Sequence, residues 1–255
     1  MNFMIAADTD IGVVRNTNQD SIACLVGQTN NSAYAFGVVC DGMGGLAKGE
    51  LASATLINAM VSWFKTDFPK LLAKGLEDND IRTQWTEIVR SNNARIMEYG
   101  AANGFNLGTT VSAILLTEQR YYIINVGDSG IYEITDCTKQ LTEDQTVVAR
   151  EVKYGRLTPE QAKRDPRKSV LLQCVGATKN VDPDFFFGTP VAGAVYLLCS
   201  DGFRHEISDD EMYRFFSASI NTTPDLMAGH IRELIEINKQ RGEKDNISAA
   251  LIRTV

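Results

Sequence analysis

Five acidic positions have neighbours that could turn a carboxylate into a ligand. Asp41 and Asp201 are each followed by glycine (Asp41-Gly42, Asp201-Gly202). Asp128 lies within Gly127-Asp128-Ser129, Asp20 closes the block Asn18-Gln19-Asp20, and Asp245 is followed by Asn246. Carboxylates brought together repel one another and cannot all stay ionised without a countercharge. A hard divalent cation supplies that charge, and carboxylate oxygen is the donor that Mg2+ and Mn2+ prefer. Glycine after an acid lets backbone approach an ion, so the Gly42 carbonyl is a further candidate. Taken singly, Asp-Gly is a common turn pair. Turn chemistry and cation binding therefore stand as two open readings.

What favours convergence is where the acids fall relative to the apolar runs. Short runs rich in β-branched and aromatic residues cover 3–7, 21–26, 34–40, 110–117, 121–126, 194–200 and 247–255, each bounded by turn-forming or polar residues, as strands are. Asp41, Asp128 and Asp201 follow such runs, and Asp20 and Asp245 precede them. Strands 110–117 and 121–126 are separated by Glu118-Gln119-Arg120, a connection short enough for an antiparallel pair. Helical periodicity covers about 45–64, 80–102, 208–217 and 223–240, with 65–79 as a polar connection. Strands and helix pairs in this order predict an α+β fold, helices stacked on largely antiparallel sheets. Residues 142–183 read differently. They are polar, carry seven lysines and arginines from Arg150 to Lys168, and contain the helix-start signal Leu157-Thr158-Pro159-Glu160. A solvated helical face and a substrate-facing basic flap are the two readings of that segment.

Composition narrows the chemistry. The 255 residues, with no linker, are expected to form one domain able to bury a core without disulfides. A net charge of −7 disfavours a broad nucleic-acid footprint. Five scattered cysteines without a CxxC pair, and a start without a signal-peptide pattern, predict a reduced, cytoplasmic protein. No apolar run approaches the roughly 18 residues that span a bilayer. Two histidines, His205 and His230, are too few for a histidine-rich zinc site and make a Ser-His-Asp triad hard to assemble. His205 follows Asp201 closely enough to touch a site there, although an ordinary loop histidine is the favoured reading, and His230 reads as a helix-surface one. No cysteine is followed six positions later by arginine, so a phosphate-cradling thiolate is not expected.

Nearly the whole chain resembles the metal-dependent type 2C protein phosphatases (PPM), in their bacterial serine/threonine branch. The resemblance is carried, in order, by Gly12-Val13-Val14-Arg15, Asn18-Gln19-Asp20, Asp41-Gly42-Met43-Gly44-Gly45, Gly108-Thr109-Thr110, Gly127-Asp128-Ser129, Leu141-Thr142-Glu143-Asp144-Gln145, Ser200-Asp201-Gly202 and Asp245-Asn246, with Leu157 to Ala162 matching the flap of that branch. It implies a sandwich of two antiparallel sheets flanked by helices (αββα), and hydrolysis of phosphoserine and phosphothreonine by water activated at a dinuclear Mn2+ or Mg2+ centre without a phosphoenzyme. It further implies that Asp41 bridges two ions, that Asp201 and Asp245 complete one ion's ligands, and that the Gly42 carbonyl serves the other. Asp128, with Asp201, would hold a third, weaker ion. Asp20 would orient waters, Asn246 would support the ligands from behind, and Arg15 would grip the substrate phosphate. The partners implied are phosphorylated proteins, including a cognate serine/threonine kinase and its targets, with no nucleic acid or membrane partner and a monomeric state.

Three positions depart from that pattern. Met43 stands where many eukaryotic members carry a histidine, Gly130 where an arginine is usual, and Gln19 where some members have glutamate. Two rival readings remain. Asp8-Thr9-Asp10 after an apolar run is the start of an aspartyl-phosphate signature, although Gly12 stands where threonine or valine is wanted. The second rival is a non-catalytic sensor of phosphorylated partners on the same fold.

Overall fold

The computed structural model describes residues 1–29, 32–43 and 48–255. Gly44, Gly45 and Leu46, which the sequence reading placed in a glycine motif and at a helix start, lie outside the described residues. Ten strands form two antiparallel sheets among the described residues. One sheet has the order β2 (Ser21–Gln28), β3 (Ala33–Cys40), β4 (Val111–Leu116), β5 (Tyr121–Val126) and β8 (Asp184–Gly188). The other has the order β1 (Phe3–Asp10), β10 (Ile247–Thr254), β9 (Val195–Cys199), β6 (Gly130–Ile134) and β7 (Thr138–Gln140).

Alternation within the central strands shows why the sheets stack. Along β3, Tyr34, Phe36, Val38 and Cys40 enter one apolar cluster, whereas Ala35 and Val39 enter another, together with Tyr196 and Leu198 of β9 and Ala250 and Ile252 of β10. That second cluster is the seam between the sheets. The first is closed by α1 (Gly49–Thr66), α2 (Phe68–Lys74) and α3 (Asp78–Asn103), through Leu56, Met60, Trp63, Phe68, Ile81 and Trp85. On the opposite side, Leu197, Cys199, Ala249 and Leu251 pack on Phe203, Phe216, Ile231 and Leu234 of α6 (Asp201–Arg204), α7 (Asp209–Phe216) and α8 (Pro224–Gln240). The layers are therefore helix, sheet, sheet, helix, as expected.

Caps set the helix boundaries. Glu77 and Asp80 form a capping box at the start of α3, and Ser208 and Glu211 do so for α7. Thr223 accepts from the Leu226 N–H, and Pro224 opens α8. Within 142–183 lie α4 (Val147–Lys153) and α5 (Pro159–Arg164), the latter starting on Thr158 as the sequence signal predicts. Elsewhere local pattern falls short. The 65–79 connection contains α2, nucleated by Pro69 and fixed by the buried ring of Phe68. Strands β6, β7 and β8 were not expected. Two are five residues long, and the three-residue β7 is polar, so pairing rather than pattern defines them.

Trp85 concentrates the packing on the α1–α3 side. It is fully buried, with its ring centroid 5.3 Å from that of Trp63 and 6.2 Å from that of Phe36. Trp85→Ala should lower stability by about 3–5 kcal/mol, seen in urea unfolding as a lower midpoint at unchanged slope. A loss under about 1 kcal/mol would mean the cluster is not close-packed.

Candidate functional site

Strand register places the acids. In one sheet Ser21 pairs with Cys40 and Val111 with Val126, so Asp20, Asp41 and Asp128 leave or enter their strands at the same end. In the other, Ala249 pairs with Cys199 and Gly130 with Cys199, which sets Asp201 and Asp245 at one end of that sheet. The two ends coincide: the charge of Asp41 is opposed by those of Asp20, Asp201, Asp128 and Asp245. Gly202 shows how tightly the segments meet, since a Cβ there would lie 2.2 Å from the Asn246 carbonyl oxygen and 3.2 Å from the Asp245 Cβ.

Backbone and hydroxyl contacts fix each acid. The Asp41 N–H donates to Thr110 Oγ1 at 2.9 Å, and its carbonyl accepts from the Thr110 N–H at 2.9 Å and from Thr109 Oγ1 at 3.0 Å. The Gly108-Thr109-Thr110 motif is thus the mount for Asp41. Thr110 Oγ1 in turn shares a proton with Ser129 Oγ at 2.7 Å, next to Asp128. The Gly42 N–H donates to the Gln19 carbonyl at 3.1 Å, tying the loop of Asp41 to that of Asp20. Asp20 Oδ2 accepts from Ser248 Oγ at 2.6 Å. Asn246 holds the Arg15 loop from behind: its Nδ2 donates to the carbonyls of Ile11 (2.9 Å) and Thr17 (3.2 Å), and its Oδ1 accepts from the Gln19 N–H at 2.9 Å.

Burial and mutual repulsion act on the protons. Asp41 is held well above the usual carboxylate range, first by burial and then by its four acidic neighbours. Burial also pushes Asp20 up to about 7, opposed by hydroxyls of Ser248 and Ser200 and reinforced by Asp201 and Asp245. Asp128 is likewise pushed up to about 7 by burial and Asp201, with Arg204 opposing. Oδ1 of Asp20 and Oδ1 of Asp201 are buried without a hydrogen-bond partner among the described residues. Unpartnered carboxylate oxygens in a shared field are a donor set for a hard divalent cation. Among the described residues, no three acidic, histidine or cysteine side chains close around one point as a finished cage. Arg15 already occupies one of the candidate acids. Its Nε and Nη2 donate to the two oxygens of Asp245 at 3.0 and 2.8 Å, so the proposed phosphate-gripping residue is bonded to a proposed ligand.

Two further residues meet the acids, His205, for which contact with the site was the lesser of two readings, and Arg204, which was not foreseen. His205, expected as an ordinary loop residue, lies with Nε2 3.5 Å from Asp201 Oδ2 and Nδ1 3.1 Å from Glu243 Oε2; burial resists its protonation, but these two acids raise its pKa. Arg204, buried one turn after Asp201, reaches Asp128 and Asp144. No motif marks either residue; only their proximity in sequence to Asp201 could have pointed to them. His230 lies away from the acids, bonded to Asn221 Oδ1 at 3.0 Å on α8. Asp8, the nucleophile of one rival reading, is ion-paired to Arg232 at 3.0 Å.

Comparison with known proteins agrees with this architecture. The family model described as "Protein phosphatase 2C" matches residues 14–228. Protein phosphatase PhpP of Streptococcus pneumoniae is 29% identical over 249 residues, covering 96% of this chain and 94% of that protein. A serine/threonine phosphatase of S. agalactiae superposes with a TM-score of 0.84 at 28% identity, over 99% of this chain and 100% of that one. The catalytic domain of the phosphatase PstP, in complex with two manganese ions, gives a TM-score of 0.78 at 28% identity, over 98% and 97% of the two chains.

The shifted acids carry a pH signature. A carboxyl whose folded-state pKa is raised stabilises the fold while it keeps its proton. For Asp20 that contribution is complete below about pH 4 and is lost as pH rises through about 7. In chelator, Asp20→Asn should therefore match the parent near pH 4 and become the more stable protein above pH 7. Each pKa unit corresponds to about 1.4 kcal/mol, so the gap should reach a few kcal/mol in denaturant titrations. Parallel stability curves for the two proteins from pH 4 to 8 would refute the buried, proton-holding Asp20.

Proposed function

The chain belongs to the protein phosphatase 2C family, and from that premise we propose which of its atoms perform phosphoprotein hydrolysis. It is a metal-dependent protein serine/threonine phosphatase, with water as the nucleophile. The observation that carries the site assignment is the half-buried Asp41, whose charge is opposed by Asp20, Asp201, Asp128 and Asp245 together. One catalytic domain spans residues 1–255. Asp41, Asp201, Asp245 and the Gly42 carbonyl would hold two Mn2+ or Mg2+ ions, and Asp128 with Asp201 would hold a third, weaker one. Bound there, divalent ions supply Lewis acidity and lower the pKa of water.

The rest of the chemistry belongs to the chain. Arg15 presents a planar fork that now bonds two oxygens of Asp245. The same fork fits two phosphate oxygens, so a substrate phosphate exchanges for Asp245 as its partner. Asp20, placed by Ser248, accepts a proton or orients water beside Asp41. Asn246 keeps the Arg15 and Asp20 segments in register. Covalent routes through Cys24, Cys40, Cys199 or Asp8 have no support. Burial pushes Cys24 and Cys199 up to about 12 and Cys40 higher still, so these thiols stay protonated. Arg232 and the Thr9 N–H occupy Asp8.

The substrates are phosphorylated proteins, and we extend this to a cognate serine/threonine kinase and its targets, met by a monomer in the cytoplasm. No helix among the described residues is long and apolar enough to cross a membrane. In the 142–183 segment, Arg150, Lys153, Arg156 and Arg167 pair with Glu151, Glu143 and Asp165, so much of its basic charge is neutralised locally. We assign that segment to substrate choice rather than to the chemical step.

Hydrolysis of p-nitrophenyl phosphate should require Mn2+ or Mg2+ and stop on chelation. Asp41→Asn should remove turnover by a hundredfold or more, while Asp8→Asn retains most of it. Phosphopeptide binding without metal-dependent turnover would instead establish a non-catalytic sensor. Arg15→Ala should raise the KM for phosphopeptide about tenfold and leave equilibrium Mn2+ affinity unchanged or tighter, because Asp245 loses a competitor. A matching loss of Mn2+ binding would contradict the phosphate-gripping role.

A further inference from the structure

The guanidinium of Arg204 reaches groups 60 to 76 positions earlier in the chain. It sits on α6, three residues after Asp201, and is largely buried. Its Nη2 donates to the Asp128 backbone carbonyl at 2.7 Å and to Asp144 Oδ2 at 2.6 Å, and its Nη1 donates to the Tyr132 hydroxyl at 3.2 Å. The Tyr132 ring folds back over Gly130, where a Cβ would lie 2.6 Å from ring Cε2. Asp144 belongs to a segment already sewn to the Asp128 loop: the Gln145 side chain accepts from the Gly127 N–H at 2.9 Å, and Thr142 Oγ1 accepts from the Ile131 N–H at 3.2 Å.

Such contacts act on direction more than on charge. A carbonyl held by a charged donor in a buried setting fixes the peptide plane after Asp128, and so fixes where its Cα–Cβ bond points. The other end of the Arg204 side chain is rooted in α6, which begins with Asp201. Lysine would place one ammonium there; the planar fork of arginine serves the carbonyl, the carboxylate and the phenol from two nitrogens.

We propose that Arg204 is a positioning residue that sets the Asp128 carboxylate relative to Asp201 and thereby the affinity of the weakest cation site, leaving the Asp41-centred pair alone. This rests on the reading of Asp128 and Asp201 as cation ligands. The test is Mn2+ titration of chelator-stripped protein, with free Mn2+ read from its electron paramagnetic resonance signal. The parent is compared with Arg204→Ala, Arg204→Lys, Asp144→Asn and Asp128→Asn, each first checked for folding by circular dichroism. Arg204→Ala and Asp144→Asn should loosen the weakest binding step roughly tenfold or more, as loss of partners behind metal ligands does. The tighter steps should stay in place, and Arg204→Lys should fall between parent and alanine variant. Should Arg204→Ala fail to fold, Asp144→Asn decides, because it keeps the side chain's shape at a half-buried position. Parent-like isotherms for the Arg204 and Asp144 variants, with Asp128→Asn weakened, would overturn the role of Arg204 alone. A parent-like isotherm for Asp128→Asn would remove Asp128 as a ligand and the proposal with it.

Discussion

Several carboxylates share one buried end of the sandwich, and their mutual repulsion is the term the rest of the structure must accommodate. Burial alone raises the pKa of Asp41, and four acidic neighbours raise it further. A cluster of this kind has three ways to lower its energy: hold protons, accept hydrogen bonds, or attract positive charge. All three are visible. Asp20 and Asp128 are pushed up to about 7, Ser248 donates to Asp20, and Arg15 places two donors on Asp245. Asp41 is itself held well above the usual carboxylate range, and a divalent cation is the countercharge that would let it ionise, which is why divalent cations are the natural completion of the site. Arg15 then has a double nature. It is the fold's own partner for Asp245 and the residue best shaped for a phosphate, so recruiting a substrate and releasing a carboxylate are a single exchange.

The fold keeps the repelling groups together by making their supports rigid. Each acid stands one to two residues beyond a strand, or one to two residues before one, and those strands are buried on both faces in β3, β9 and β10 over most of their length. A one-residue slip would exchange the faces of Phe36 and Ala35 and is excluded by both clusters at once. Cross-links then join neighbouring ends: Thr110 ties Asp41 to Ser129, Gly42 ties to Gln19, and Asn246 ties to Ile11 and Thr17. Apolar burial in three clusters provides the stability from which this local electrostatic cost is drawn.

Much of this could be read from sequence because strand ends are marked by abrupt changes in polarity. YAFGVVC into Asp41 and AVYLLCS into Asp201 show both the buried strand and the acid at its end. Long helices with wide apolar stripes were equally plain. What escaped was defined by pairing or by long-range contact. Gly130–Ile134 and Asp184–Gly188 become strands only because β9 and β5 lie beside them. Arg204 and His205 become part of the site only because α6 turns them toward Asp128, Asp144 and Glu243. The bond between Arg15 and Asp245 spans 230 positions, and no local spacing encodes it.

The three departures from the family pattern differ in kind once their surroundings are known. At position 19 a neutral amide is the better choice, because Gln19 Nε2 donates to Glu50 Oε2 at 3.1 Å, and a glutamate would set two carboxylates face to face. Gly130 leaves room for the Tyr132 ring, while a guanidinium arrives from α6 to reach the Asp128 loop. In this chain the positive charge beside that loop comes from Arg204. Met43 is not repaired in this way. Its backbone N–H is held by the Gly108 carbonyl at 3.0 Å, so the residue keeps its place in the loop, but a thioether has no proton to give. We therefore assign protonation of the departing serine or threonine oxygen to water rather than to the side chain at position 43.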